Sequence, residues 1–268
     1  MNILFVVTKA DLGGAQRFVF DLAHYFHTQG HQVTVGYGVP GPLTERLTEH
    51  HIPTHHFKHL ARNVNPFSAY LFSRELKKNA LEQGYDVVHF NSSNTFPGVF
   101  GLKNLLHKPR TIATLHGLSF IAPEHASRAK PVYTLLYRLL LRNFNETVYL
   151  TERDQKNATQ QGLPTGTIIP LGIAAELYLS RAKALSELQA LNNRIQSDRF
   201  IVGAVGRLAY PKNIIFLIEH FTQLRRVIPN AQLVLIMNHP SPKKNSPTTS
   251  SCLAQYHKPR ATYKPSTC

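Results

Sequence analysis

The chain has 268 residues, 43% of them hydrophobic, with 30 Lys+Arg against 15 Asp+Glu and a formal net charge of +15. That length gives one large or two modest domains with a real core, and the charge favours anionic partners (nucleic acid, acidic lipid or phosphorylated substrates) without choosing among them or excluding plain solubility. Three classes are excluded: Cys252 and Cys268 make no disulfide framework or metal spacing, no apolar run approaches the roughly 20 residues of a membrane span, and Met1 to Val7 lacks the basic start of a signal peptide, so the chain reads as intracellular.

Short apolar strands alternate with helical stretches. Ile3 to Val7 reads as a buried strand, and the turn from Lys9 to Gly14 leads into a helix from about Ala15 to Gln29, with Phe18, Leu22 and Phe26 at helical spacing. Gly30 ends it, and Gln32 to Tyr37 is the second strand. Leu43 to Glu49 is a short helix, followed by a His-rich strand edge and a helix from Pro66 to Gln83. Strands at Asp86 to Phe90 and Thr111 to Leu115 flank a helix near Gly98 to Leu106. Pro131 opens a strongly apolar helix to Phe144. Thr147 to Leu150, Glu152 to Gln161 and Thr167 to Ile169 complete a strand-helix-strand series. Such a series predicts an α/β fold, a Rossmann-like parallel sheet with helices on both faces, whose ligands sit beyond the carboxyl ends of the strands. The Gly13-Gly14 turn, Asn91-Ser92 and His116-Gly117 fall at those ends.

Residues 174–198 read as a polar helical linker. Phe200 to Val205, Asn213 to Val227 and Gln232 to Met237 begin a new strand-helix-strand unit. Residues 238–268 have no periodicity, no acidic residue and five basic ones, and by composition are a disordered basic tail.

Five constellations could carry chemistry or binding. The Gly13-Gly14 turn lets backbone approach a ligand at a helix N-terminus that favours negative charge, although a tight turn alone would also account for it. It lacks the Gly-x-Gly-x-x-Gly spacing of dinucleotide sites. His116, at the end of a strand, faces the cleft, where it could hydrogen-bond a sugar or phosphate; taken alone, a satisfied loop histidine is the plainer reading. Arg207 and Lys212 lie in a strand-to-helix loop and could clamp a diphosphate, or simply make a basic loop. His50, His51, His55, His56 and His59 crowd one stretch, yet Pro53 interrupts it and no carboxylate follows closely, so a solvated helix end and edge strand is preferred to a metal site. The helix from Pro131 to Phe144 could lie on an acidic membrane surface through its two arginines, but packing against the sheet is the favoured reading.

Together these pieces resemble the family 4 glycosyltransferases, retaining enzymes of the GT-B fold. The matching residues are Gly13-Gly14-Ala15-Gln16, Asp86-Val87-Val88-His89, Leu115-His116-Gly117, Thr151-Glu152, Ile169-Pro170-Leu171-Gly172-Ile173 and Val205-Gly206-Arg207 with Lys212-Asn213, in family order from Met1 to about Met237. The resemblance implies an N-terminal Rossmann-like domain at 1–173 that mainly holds the acceptor, a linker at 174–198, and the start of a donor-binding domain at 199–237. It implies transfer of a sugar from a nucleotide-sugar to a glycan or lipid-linked acceptor, with retention and with neither cofactor nor metal. His116 would be the catalytic residue, contacting the donor sugar; Arg207 and Lys212 would neutralise the leaving diphosphate; Gly13 and Gly14 would line the acceptor and donor phosphates. The enzyme would be cytoplasmic, or peripheral at the inner face of a membrane.

The sequence departs from the family at its end. Asn238-His239-Pro240 stands where a glycine-bearing loop is common, Leu171 and Ala174 where an Asn and an Asp are common, and no Asp or Glu follows Glu219, so the family's paired glutamates are absent. A frameshift or cut reading frame would produce so abrupt a switch, and such a chain would be weak or inactive. The alternative is a non-catalytic Rossmann module binding an acceptor, an acidic lipid or a partner protein. Nucleic acid is disfavoured, because the tail offers only Tyr256 and Tyr263 for stacking.

Overall fold

The computed structural model describes residues 1–11, 13–61, 65–117, 130–172, 179–207, 212–238 and 251–255. The chain divides into two compact units, Met1–Ile173 and Ala174–Cys268.

The first unit is a parallel seven-stranded sheet. In chain order its elements are β1 (Asn2–Lys9), α1 (Gly14–Thr28), β2 (Gln32–Val39), α2 (Pro42–Glu49), β3 (Thr54–His56), α3 (Pro66–Gln83), β4 (Val87–Phe90), a 3-10 turn at Ser93–Gly98, α4 (Val99–Leu102), β5 (Arg110–Leu115), α5 (Lys130–Leu141), β6 (Glu146–Tyr149), α6 (Glu152–Gln160) and β7 (Thr167–Ile168). The strand order is β3-β2-β1-β4-β5-β6-β7, so the connections reverse direction beside β1 and β4. That reversal opens a crevice at the carboxyl ends of the central strands.

β1 explains why both faces must be covered. Ile3, Phe5 and Val7 pack with Val19, Phe20, Ala23 and Leu47 of α1 and α2, while Leu4 and Val6 pack with Phe72, Leu76, Phe90 and Phe96 on the opposite face. An unbroken apolar run is what a central parallel strand requires, because successive side chains alternate between two buried layers. The helices start where sequence chemistry says they should. Asn65 and Ser68 cap α3 reciprocally, and Thr151 Oγ1 accepts from the Asp154 amide at 3.0 Å to start α6.

Three expectations change. The helix expected near Gly98 to Leu106 is only α4, preceded by the 3-10 turn; Pro97 within that turn disfavours an earlier α-helical start. The helix opening at Pro131 does not pack all round. Leu140 and Leu141 join the core and Tyr137 packs against it, but Val132, Tyr133, Leu135, Leu136 and Leu139 stay exposed. The third change lies in the second unit.

That unit contains α7 (Arg181–Leu191), β8 (Phe200–Arg207), α8 (Ile214–Val227), β9 (Ala231–Asn238) and β10 (Ser251–Gln255). β8 and β9 are parallel, the expected strand-helix-strand unit, and α8 covers one face through Ile214 and Phe221 against Leu233 and Leu235. β10 runs antiparallel to β9, with Leu253 opposite Ile236. Disorder throughout 238–268 therefore does not hold for Ser251–Gln255, where five residues free of Pro, Gly and charge can add backbone hydrogen bonds to an open edge. The polar 174–198 stretch is more than a linker: Ile195 is buried, and Gln232 accepts from the Gln196 amide and donates to the Arg194 carbonyl.

Candidate functional site

The period-two rule builds the site. In register, Phe5 of β1 lies beside His89 of β4, and His89 beside Ile112 of β5. Residues 87, 89 and 91 therefore share a face with 112, 114 and 116, the face covered by α1. Here His89 contacts the rings of Phe5 and Phe18, and His116 meets Phe18 edge-on at 5.0 Å. Phe18 is one turn into α1, so it ties the helix that begins at Gly14 to the histidine that follows β5.

A polar chain runs along the strand ends. His89 Nε2 pairs with Thr114 Oγ1 at 2.7 Å, Asn91 Nδ2 donates to the His89 carbonyl at 3.0 Å, and His116 Nε2 lies 3.4 Å from Asn91 Oδ1. Asn91 is 1% exposed and His89 8%. Burial lowers the His89 pKa to about 3, with the neighbouring His116 adding to the effect, and burial lowers His116 to about 4. Both rings are neutral at pH 7. Since the Asn91 amide nitrogen is committed to a carbonyl, its oxygen accepts, and His116 Nε2 is the donor. His116 Nδ1 is then left as an acceptor. A neutral, oriented imidazole of this kind can receive a hydrogen bond from a hydroxyl; it is not a cation for a phosphate.

Backbone geometry fixes the surroundings. Gly117 has φ 109, a region L side chains rarely enter, so the turn after His116 requires glycine. Ser92 Oγ accepts from the Thr8 amide at 2.9 Å and pairs with Thr8 Oγ1 at 2.6 Å, prolonging the contact between β1 and β4 past the end of the ladder.

The Gly13-Gly14 pair is a different case. Gly13 has φ −179, extended backbone that any residue can adopt, and caps α1 without a side-chain bond. A Cβ on Gly13 would meet only the end of the flexible Gln16 side chain, and one on Gly14 nothing within 4 Å. Neither the protein's own packing nor its backbone conformation demands these glycines. Both are exposed at the N-terminus of α1, an end that favours negative charge. Gln16 holds the turn by donating to the Lys9 carbonyl at 3.0 Å.

Gly13, Gly14 and His116 thus gather in the first unit, linked through Phe18. Arg207 and Lys212 belong to the second. Arg207 ends β8; Lys212 is exposed, with its methylenes about 3.8 Å from where a Cβ on Gly206 would stand, so Gly206 leaves room for it. Residues 208–211 lie outside the described residues. Four of the five crowded histidines disperse into separate contacts: His50 on Phe20 and His24, His55 on Phe57, His56 to the Gly38 carbonyl, His59 to Glu75. Among the described residues no three His, Cys, Asp or Glu side chains gather as a metal-holding group.

Motif reading missed Phe18, Asn91 and Thr114 as site residues. Asn91 was visible as a strand end, but its tie to His116 is a contact across 25 residues that only strand pairing creates.

The pattern of Glycosyltransferase Family 4 matches residues 12–177, more than half of the chain. The chain belongs to this family. No curated protein matches it. Solved structures agree on the fold. The Anabaena protein HepE, crystallised with UDP and glucose, is 22% identical with a TM-score of 0.68, over 88% of this chain and 60% of its own. Sucrose-phosphate synthase from Thermosynechococcus elongatus is 18% identical with a TM-score of 0.67, over 90% of this chain and 63% of its own. A Rickettsia africae glycosyltransferase is 19% identical with a TM-score of 0.64, over 84% and 57%. This family 4 chain therefore has the GT-B glycosyltransferase fold and spans about 60% of the length of the structures it resembles.

Proposed function

We propose that this family 4 chain serves transfer of a sugar from a nucleotide-sugar, a UDP-sugar in the first instance, to a glycan or lipid-linked acceptor, with retained configuration. The observation that carries the reading is His116: a neutral imidazole, oriented by Asn91 and Phe18, standing at the crevice beside a helix start whose glycines serve no internal need. The donor is suggested by the UDP and glucose bound to HepE. In this reading Nδ1 of His116 accepts a hydrogen bond from a donor-sugar hydroxyl and fixes the ring for reaction. Gly13 and Gly14 admit phosphate and acceptor oxygens close to the α1 amides. Arg207 and Lys212 take up the charge that develops on the leaving diphosphate, without a metal ion. The chain works in the cytoplasm, or at the inner face of a membrane if its acceptor is lipid-linked.

Titration calorimetry with UDP and UDP-glucose tests this. Binding that weakens at least about tenfold in Arg207→Ala, as expected for loss of a charged hydrogen bond, supports the donor role. No nucleotide-sugar binding, alongside retained acceptor binding, would favour a non-catalytic module.

A further inference from the structure

We propose that the groove between α5 and the end of α6 binds a small organic carboxylate, held by the Arg138 guanidinium and the Thr134 hydroxyl. This groove shares no residue with the crevice around His116, and a carboxylate can bind there whether or not a sugar moves.

The groove has a volume of about 590 Å³ and is lined by Pro131, Thr134, Leu135 and Arg138 of α5 and by Gln161 and Gly162 after α6. Gly162 makes the turn that ends α6, with φ 72 in the left-handed region. A Cβ at that position would overlap the Arg138 guanidinium, so glycine both turns the chain and leaves room for the cation. Arg138 Nη2 donates to the Gln161 carbonyl at 2.9 Å, at a helix C-terminus whose dipole favours positive charge. One end of the guanidinium is therefore fixed before any ligand arrives.

Its other donor is left over. Among the described residues three buried side-chain polar atoms have no hydrogen-bond partner, and two of them, Arg138 Nε and Thr134 Oγ1, belong to residues that line this groove. Thr134 is only 9% exposed. A helical threonine usually returns its proton to a carbonyl three or four residues back, and Thr134 does not. Threonine has two accessible χ1 rotamers in a helix, so the hydroxyl can turn to meet an arriving acceptor. Positions 134 and 138 are one helical turn apart and share a face. Two buried donors without partners on one face call for a common acceptor.

Charge and shape choose that acceptor. No Asp or Glu lines the groove, and Arg138 is the only cation among its lining residues. One fixed positive charge balances a monoanion rather than a phosphate dianion. A carboxylate offers one oxygen to the Nε–H and the other to the hydroxyl. Pro131 and exposed Leu135 supply an apolar wall for a short hydrocarbon body. Bound there, the carboxylate completes the bonds that tie α5 to the end of α6, and so stabilises the first unit in proportion to its occupancy.

The probe is sodium butyrate, added to the full isotope-labelled chain, with sodium phosphate and sodium chloride as controls at equal ionic strength. We expect butyrate to shift the Arg138 Nε–H resonance, identified by its loss in Arg138→Lys, and the Gly162 amide along one saturating curve. It should also raise the urea midpoint of the first unit. Phosphate and chloride should bind at least about tenfold more weakly. Thr134→Val keeps the side-chain shape and removes the hydroxyl. It should weaken butyrate binding about tenfold, as expected for loss of one hydrogen bond to a charged group, while Thr134→Ser restores it and far-ultraviolet circular dichroism stays native in both. The proposal fails if butyrate gives no saturating shift at the Arg138 Nε–H, or if Thr134→Val binds as tightly as the parent. It also fails if phosphate or chloride matches butyrate, which is ion pairing alone. A more stable Thr134→Val, with the parent's urea midpoint unmoved by butyrate, would overturn it too, by marking the two donors as an internal packing defect.

Discussion

The first unit covers both faces of its sheet; in the second, the described helix packing covers one. In the first, seven parallel strands lie between α1 and α2 on one face and α3 and α5 on the other, with Leu4, Phe5, Phe57, Phe72, Phe90, Phe96 and Tyr149 all fully buried. In the second, three strands meet α8 on one face, while Val205 is 76% and Val227 80% exposed and Ile215 and Phe216 are more than half exposed. The difference teaches that a βαβ pattern specifies two apolar faces regardless of whether neighbours are present to cover them. Of the residues proposed to act, Gly13, Gly14 and His116 belong to the unit with two filled layers, and Arg207 and Lys212 to the other.

The largest expected effect is on the first core. Phe90→Ala removes a ring packed against Phe144, and should destabilise the first unit by about 3–5 kcal/mol in urea unfolding. By contrast Val205→Lys, at an exposed position, should change stability by no more than about 0.5 kcal/mol while raising solubility. A cost for Val205→Lys near that of Phe90→Ala would break the comparison.

Acid separates the units next. His89 and His116 are held neutral in the fold, with pKa values of about 3 and about 4, against 6.5 unfolded. A depressed histidine pKa means the unfolded chain takes the proton first, so the contribution to stability is full above pH 6.5 and is lost as pH falls towards 4. The first unit should weaken over that window, and His116→Gln should flatten the slope. An unchanged slope in His116→Gln would show that the ring is not held neutral.

The smallest effect sharpens the site itself. Gly14→Ala meets open space and favours the α1 helix, so it should raise stability by about 0.5 kcal/mol. It should at the same time weaken UDP-glucose or acceptor binding. A more stable protein with unchanged binding would remove the glycines from the site.

Much of this was legible beforehand, for reasons specific residues make plain. Ile3 to Val7 announces a central strand because five successive apolar residues have no other use, and Gly30 marks a helix end by chemistry that operates within a few residues. Less legible was α5. Its sequence is strongly apolar with two arginines, which reads as packing against the sheet; the fold uses for that only the side bearing Tyr137, Leu140 and Leu141. Residues 251–255 were unreadable because an edge strand is stabilised by its partner's backbone, in this case β9, rather than by its own side-chain pattern.

By itself, then, the sequence determined the alternation of strands and helices, the carboxyl-end positions of Gly13, Gly14 and His116, and the order of family motifs, because each depends on local propensity and short-range periodicity. Tertiary structure alone decided that Asn91, Phe18 and His116 meet, that His116 is neutral with Nδ1 left to accept, and which side of α5 faces water. Those outcomes depend on strand register and on desolvation by residues distant in the chain, and burial has no magnitude until the sheet has formed.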